Sequence, residues 1–340
     1  DVYKRQVVHT GTGIALAFAG LSYMSLAWAA IAGTVTSLIL AQIMRPAGIP
    51  WMPGLKGIRR VLSFGLYMTG SSMLTRLGTD LPSLIVGKTL GISAVGLISR
   101  GSSLIEIFER LVIRGIRPVI MPYLSAKQRS GENLGQPYLY AVTCVTGLAW
   151  PFFITLALLA EPVVVVLLGS KWTDVIPLLS IWALAPSIAA LTAFEQDTFV
   201  AAGAVKRFFR LQTYAIFAHI LVVVASAFHS LEALIIAFTI SRLIRISIMA
   251  PTLYRLIGID VKAHWRAASS SLLVAFITGV AVFFSTLLPS ISPAPVFAEL
   301  GAGGLAAFLG WLLACRITGH PLMNEIARAF SAVQRRLSAH

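Results

Sequence analysis

Residues 139–168 read LYAVTCVTGLAWPFFITLALLAEPVVVVLL, a run whose only charged side chain is Glu161. A helix that crosses the hydrocarbon core of a bilayer needs about 20 mostly apolar residues, and this stretch exceeds that length. Similar runs recur on either side of it. Bounded by charges and by Pro/Gly clusters, the candidate spans are 7–22, 25–44, 61–87, 92–122, 139–168, 175–200, 211–228, 232–254, 267–288 and 295–315. The composition agrees. Of 340 residues, 57% are hydrophobic and 12% charged, whereas an average globular domain carries about 25% charged residues. Disordered, collagen-like and disulfide-rich secreted chains are excluded by the same balance. The expected fold class is an all-α polytopic membrane protein with about ten transmembrane helices.

The charge balance, 27 Lys+Arg against 13 Asp+Glu for a net +14, would suggest a nucleic-acid partner in a soluble chain. Here position explains it. Alternate loops and the tail hold twenty of the basic residues, among them Arg59, Arg60, Arg114, Arg117, Arg207, Arg210 and Arg316. The opposite loops hold only Lys88 and Lys171. Cytoplasmic loops carry the excess of Lys and Arg, so both termini are expected in the cytoplasm and no nucleic acid is expected as partner. The stretch RPAGIPWMPGLKGIRR (45–60) reads as a basic cytoplasmic linker between two helical bundles. In the tail, 316–340, Leu322, Ile326, Phe330, Val333 and Leu337 recur at helical spacing beside Arg328, Arg335 and Arg336. That is the pattern of a basic amphipathic helix, lying on anionic lipid or packed on the cytoplasmic loops.

Signatures of catalysis are scarce. The chain has no P-loop, HExxH, GxSxG or dinucleotide fingerprint. Its two cysteines, Cys144 and Cys315, lie in apolar segments without ligand spacing, and its six histidines are scattered. No catalytic residue, metal or cofactor is therefore nominated, and an enzyme is not expected.

Ionisable side chains inside the spans are more telling, since each costs about 2.5–3.5 kcal/mol at a helix centre on insertion scales. Arg76 and Asp80 lie four apart on one face and can pair. The fourth span carries Arg100, Glu106, Glu109 and Arg110, the sixth Glu195 and Asp197, and the eighth Arg242 and Arg245. Each has a plain structural reading. Arg76 and Asp80 can neutralise one another, Glu106, Glu109 and Arg110 can form a polar seam between helices, and Arg245 can snorkel to the inner surface. As a group, Arg76, Arg100, Arg242 and Arg245 suggest a cavity that receives an anion, because the planar guanidinium suits phosphate. That grouping requires the third, fourth and eighth spans to meet.

The run FGLYMTGSSMLTRLGTDLPSLIVGKTLGISAVGLISRGSSL (64–104) resembles the start of the second bundle in polysaccharide transporters of the Wzx/WzxC type, within the multidrug/oligosaccharidyl-lipid/polysaccharide exporter superfamily. The resembling features are the FG opening, Asp80 in the helix, IVGKTLG (85–91) and AVGLISR ending at Arg100. EPVVVVLLGSKWTDVIPLLSIWAL (161–184) and AAGAVKRFFRLQ (201–212) are similar to later elements of the same family. The resemblance implies two six-helix bundles around a central cavity. Residues 1–44 would close the first bundle, 61–256 would form the second, and 257–315 would add two helices. The chain opens at Asp1, without Met, so a fragment lacking the first four helices is expected. The implied cargo is an undecaprenyl-pyrophosphate-linked oligosaccharide, flipped across the bacterial inner membrane by alternating access, with membrane lipids as surroundings and a monomer as the working state. Asp80 and Glu195 are the candidates for ion coupling. The alternatives are a multidrug or cation antiporter of the same superfamily, or a structural membrane protein should the chain be complete. A membrane-embedded glycan polymerase is disfavoured, because no interspan segment is longer than 45–60.

Overall fold

The computed structural model describes residues 2–20, 24–43, 57–291 and 295–337. Most of the linker expected at 45–60 and the end of the tail lie outside the described residues. The chain divides into two compact units, Asp1–Leu62 and Ser63–His340.

The first unit holds α1 (Val2–Phe18) and α2 (Met24–Ile43), which pack on each other. A Cβ on Gly13 would lie 3.4 Å from the Ala29 methyl, the close approach that small residues permit between helices in lipid. Thr34, Thr36 and Ser37 each donate to the carbonyl four residues back, at 2.8–2.9 Å. Their hydroxyls are thus satisfied within an apolar helix.

The second unit opens along α3 (Ile58–Thr89), followed by α4 (Ile92–Phe108), a π turn (Glu109–Ile113) and α5 (Arg114–Arg129). Then come α6 (Gly135–Leu158), α7 (Ala160–Leu167), α8 (Val175–Trp182), α9 (Leu184–Ala189) and α10 (Glu195–Ala201). The unit ends with α11 (Val205–Ser226), α12 (Leu231–Ile257), α13 (Val261–Ile291), α14 (Val296–Ile317) and α15 (Leu322–Leu337). Among the described residues, six helical stretches are long and apolar enough to cross a membrane: 135–158, 175–201, 205–226, 231–257, 261–287 and 296–317. α1 and α2 contribute shorter apolar helices, Val8–Phe18 and Met24–Leu40. α3 and the α4–α5 rod match the expected third and fourth spans in place, but charges interrupt them. The chain is an all-α, multi-pass membrane protein.

Three expected spans are interrupted. The run 139–168 leaves the helix at Leu159 (φ −99°, ψ 23°) and restarts as α7. Pro162 then sits in the first turn of α7, where its missing N–H has no partner to serve. The span 175–200 divides into α8, α9, a 3₁₀ turn at Ala190–Thr192 and α10. Irregular backbone at membrane depth is tolerated where it lies inside protein or lines a cavity, and this segment does both. The π turn interrupts the fourth span just ahead of Pro118, which has no N–H to return to the carbonyl of Arg114.

Among the described residues, two packed cores are the largest in the unit. One gathers Phe108, Phe153, Leu179 and Phe194, and the other gathers Tyr138, Phe199, Phe208, Met249 and Leu253. Small residues let α6, α13 and α14 approach closely. An added Cβ on Gly279 would overlap Ile154, on Gly303 Leu159 and on Gly310 Ala281. Of the glycine-rich GAGGLAAFLG stretch, Gly303 and Gly310 therefore serve packing, whereas Gly301 and Gly304 face open space.

Candidate functional site

Within the second unit, α3, α4–α5, the broken α8–α10 segment, α11 and α12 surround a cavity of about 970 Å³. Its lining is decided by helical spacing. On α4 and the π turn, Ser99, Ser102, Glu106 and Glu109 recur every three or four residues and face the cavity. A turn of about 100° per residue carries Arg100 off that stripe. Its guanidinium instead lies over the Trp172 ring, 5.2 Å from the centroid. Of the residues nominated from sequence, Arg76, Asp80, Glu195, Arg242 and Arg245 line the cavity, and Arg100 does not. The third, fourth and eighth spans border one cavity, and three of the four arginines grouped by the sequence line it.

The expected pairing of Arg76 with Asp80 does not form. Among the described residues Arg76 has no ion pair, and Asp80 accepts from the Thr79 hydroxyl at 3.3 Å. Order explains the contrast with Glu106 and Arg110, which pair at 2.7 Å. An acid placed before its base at i,i+4 is the better arrangement along a helix, and Arg76–Asp80 runs the other way.

Deeper in the wall, Glu195 is 4% exposed and is held by Arg245, whose Nε donates to Oε1 at 2.7 Å. The same guanidinium donates through Nη1 to Gln212 Oε1 at 2.6 Å. Gln212 Nε2 in turn donates to Thr75 Oγ1 at 3.0 Å, and Thr75 donates to the Ser71 carbonyl at 2.9 Å. One chain of hydrogen bonds thereby ties α10, α12, α11 and α3. Arg245 does not snorkel; it is fully engaged sideways. Glu195 Oε2 is left buried with no hydrogen-bond partner. Beside it Arg117 Nε meets Asp197 Oδ2 at 3.2 Å.

Sequence reasoning missed part of this wall. Arg114 and Arg117 were counted with the cytoplasmic loops, yet α5 carries both into the lining. Glu106 and Glu109, read as a seam, face the cavity, as does His219, whose Nε2 lies 3.0 Å from the Gly78 carbonyl. The lining is therefore mixed in charge rather than simply basic. Among the described residues Arg76, Arg114 and Arg242 form no ion pair, nor do Asp80 and Glu109. Unpaired guanidiniums can take phosphate oxygens, and unpaired carboxylates can accept from hydroxyls. Among the described residues no group of three His, Cys, Asp or Glu side chains could hold a metal ion.

Residues 4–177, just over half of the chain, match a family described as polysaccharide biosynthesis protein. The chain belongs to this family. The resemblance carried by residues 64–104 and 161–184 falls largely inside the matched region. Succinoglycan biosynthesis transport protein ExoT of Rhizobium meliloti (strain 1021) is 28% identical over 134 residues, 38% of this chain and 27% of that protein. Teichuronic acid biosynthesis protein TuaB of Bacillus subtilis (strain 168) is 20% identical over 138 residues, 39% of this chain and 29% of its own length. Amylovoran biosynthesis protein AmsL of Erwinia amylovora is 28% identical over 134 residues, with 38% and 34% covered. The match thus spans about a third or less of each curated relative. Among solved structures, the lipid II flippase MurJ in an inward closed conformation superposes with a TM-score of 0.64. That superposition covers 94% of this chain and 67% of MurJ at 13% identity, a likeness of fold.

Proposed function

We propose that this polysaccharide biosynthesis protein forms part of a flippase for lipid-linked saccharides, and that its cavity receives the pyrophosphate–sugar head of an undecaprenyl-linked oligosaccharide. The observation that carries this reading is the unpaired guanidinium of Arg242, facing a cavity of about 970 Å³ with Arg76 and Arg114 also unpaired. A pyrophosphate entering the membrane sheds water, and fixed guanidiniums replace part of that solvation. The lipid tail stays in the bilayer. A relative named for transport in succinoglycan biosynthesis, and a fold shared with a lipid II flippase, support the same reading.

In this proposal the protein sits in the bacterial inner membrane as a monomer, with both termini cytoplasmic, in keeping with the basic loops. Residues 61–256 rock against a first bundle to which 1–44 contribute two helices, giving alternating access. The two helices of 257–315 stand outside that pair of bundles, and Asp80 or Glu195 couples the motion to an ion gradient. The test is polymer export in the native host carrying the full-length protein. Arg242→Ala is expected to reduce export roughly tenfold or more at equal protein level, in line with the loss of a charge-assisted bond. Normal export in both Arg242→Ala and Arg76→Ala would overturn the reading. The unpaired carboxylates of Asp80 and Glu109 favour a second reading, a cation antiporter. In that case Asp80→Asn would abolish resistance to lipophilic cations and Arg242→Ala would not.

A further inference from the structure

The cavity has two tiers. Trp182 lies seven residues after the start of α8, Phe238 seven after the start of α12, His219 seven before the end of α11, and Ser99 seven after the start of α4. Ser83 lies six before the end of α3. The ends of α3, α4, α11 and α12 share one end of the bundle, because Val86, Ala94, Val223, Ala227 and Leu234 form a single buried cluster, and Trp182 packs against it. Ser83, Ser99, His219 and Phe238 therefore lie about 10 Å from that end, at 1.5 Å per residue, and Trp182 joins them through its stack on Phe238. All five line the cavity. The guanidiniums and carboxylates lie further in, with Arg76 thirteen residues before the end of α3 and Arg242 eleven after the start of α12.

The rings of the first tier form one wall. Trp182 stacks on Phe238 with centroids 5.4 Å apart at 29°, and His219 stacks on Phe238 at 6.0 Å and 26°. Trp150 and Trp311 use their indole N–H groups, donating to the Ser187 and Gly147 carbonyls at 2.8 and 2.9 Å. Among the described residues the Trp182 N–H has no such partner, and neither do the hydroxyls of Ser83 and Ser99, whereas Ser102 donates to the Ser99 carbonyl. Aromatic faces beside unclaimed N–H and O–H groups suit a ligand with an apolar face and a rim of hydroxyls.

We propose that this tier is a pyranose-binding subsite, in which the C–H face of one sugar ring lies on the Trp182–Phe238 wall and its hydroxyls meet Ser83, Ser99 and the Trp182 N–H. The proposal rests on the reading of the cavity as a carrier of lipid-linked saccharide, and it assigns the sugar and the pyrophosphate to different depths. Gly101 supplies an independent handle. It is outside the lining, and a Cβ there would meet the Trp182 ring at 3.0 and 3.2 Å, so Gly101→Ala shifts the ring without touching the cavity.

The test uses the full-length protein in nanodiscs and three probes: farnesyl pyrophosphate, the same lipid bearing a disaccharide, and the methyl glycoside of that disaccharide. The glycosylated lipid is expected to bind the wild type about tenfold tighter than the bare one, the effect of one buried aromatic anchor. That ratio falls toward unity in Trp182→Ala, is largely kept in Trp182→Phe and drops in Gly101→Ala. Saturation transfer to the methyl glycoside disappears with Trp182→Ala. A ratio equal in the wild type and Trp182→Ala overturns the subsite. Should Trp182→Ala not fold, an unchanged ratio in Gly101→Ala overturns it instead. Failure of the carrier reading looks different: the methyl glycoside binds in a Trp182-dependent way while neither pyrophosphate lipid binds. Absence of all sugar binding overturns both.

Discussion

Two buried polar clusters in the second unit, one neutral and one charged, are finished differently. Under the tail, His320 is 1% exposed and both of its ring nitrogens are used. The Leu322 N–H donates to Nδ1 at 3.3 Å, which leaves Nε2 to donate to Ser271 Oγ at 3.1 Å. Thr146 Oγ1 lies 2.8 Å from the same Ser271 oxygen, and Thr143 donates to the Ala267 carbonyl at 2.9 Å. Around the cavity, by contrast, Glu195 Oε2 has no hydrogen-bond partner, and among the described residues Arg242 makes no ion-pair contact, with Glu195 and Glu109 near it but not bonded. A closed network spends its polar groups on one arrangement and fixes α15 to α6 and α13. An open one keeps capacity for something that arrives.

The largest effect should come from breaking the half of the cavity cluster that is closed. Arg245→Ala strands the Glu195 carboxylate in a buried site, a change that costs about 3–5 kcal/mol in comparable pairs. The unfolding midpoint of the purified protein should fall sharply, and the double variant Arg245→Met/Glu195→Gln should recover much of the loss. A single variant as stable as the wild type would mean that the pair does not hold α10 to α12.

Next comes the closed cluster under the tail. A Cβ on Gly147 would reach 2.8 Å from His320 Nε2 and 2.9 Å from Leu322 Cδ1. Gly147→Ala therefore overfills the site and should cost about 1–3 kcal/mol. The damage should appear first as faster proteolysis after Ile317. Unchanged cleavage would show that α15 is anchored elsewhere, for example through the Tyr140–Glu325 hydrogen bond.

Acid should open the same cluster more gently. Burial pushes the His320 imidazole below its ordinary value. The unfolded or undocked tail then takes up a proton first, so the contribution of His320 is complete above about pH 6.5 and fades as pH falls below it. Amide exchange along Leu322–Leu337, corrected for its intrinsic rate, should quicken on that acid side. His320→Gln should remove the dependence, and an exchange rate indifferent to pH in the wild type would contradict the closed network.

What could be read beforehand follows the same division. The apolar runs were legible because lipid leaves backbone groups few options besides the helix. The break at Leu159 was not, since no Gly or Pro marks that residue and only Pro162 follows. Glu195 stood out as an acid in an apolar run. Arg114 and Arg117 were lost because dense charge near 110 imitates the edge of a span. The stripe Ser99, Ser102, Glu106 and Glu109 was there to be found at spacings of three and four, and it would have placed Arg100 off the cavity face. His320 gave no local signal at all: its partner Ser271 lies 49 residues away and is brought there by packing.

The smallest effect on stability sharpens the comparison most. Arg242 and Arg245 stand three apart on one face of α12 and both line the cavity. Only Arg245 has a carboxylate and an amide to hold it. Arg242→Ala breaks no hydrogen bond or close ion pair and should therefore move the unfolding free energy by no more than about 0.5 kcal/mol. Arg245→Ala, one turn away, should lower it several-fold more. Equal losses would make Arg242 a structural cation, and the cavity would then lack the free guanidinium on which its proposed cargo depends. Unequal losses would leave Arg242 with a charge in the membrane, a cost to insertion, and only the unbonded carboxylates of Glu195 and Glu109 near it in the fold. Its N–H donors would then be free to bond a ligand.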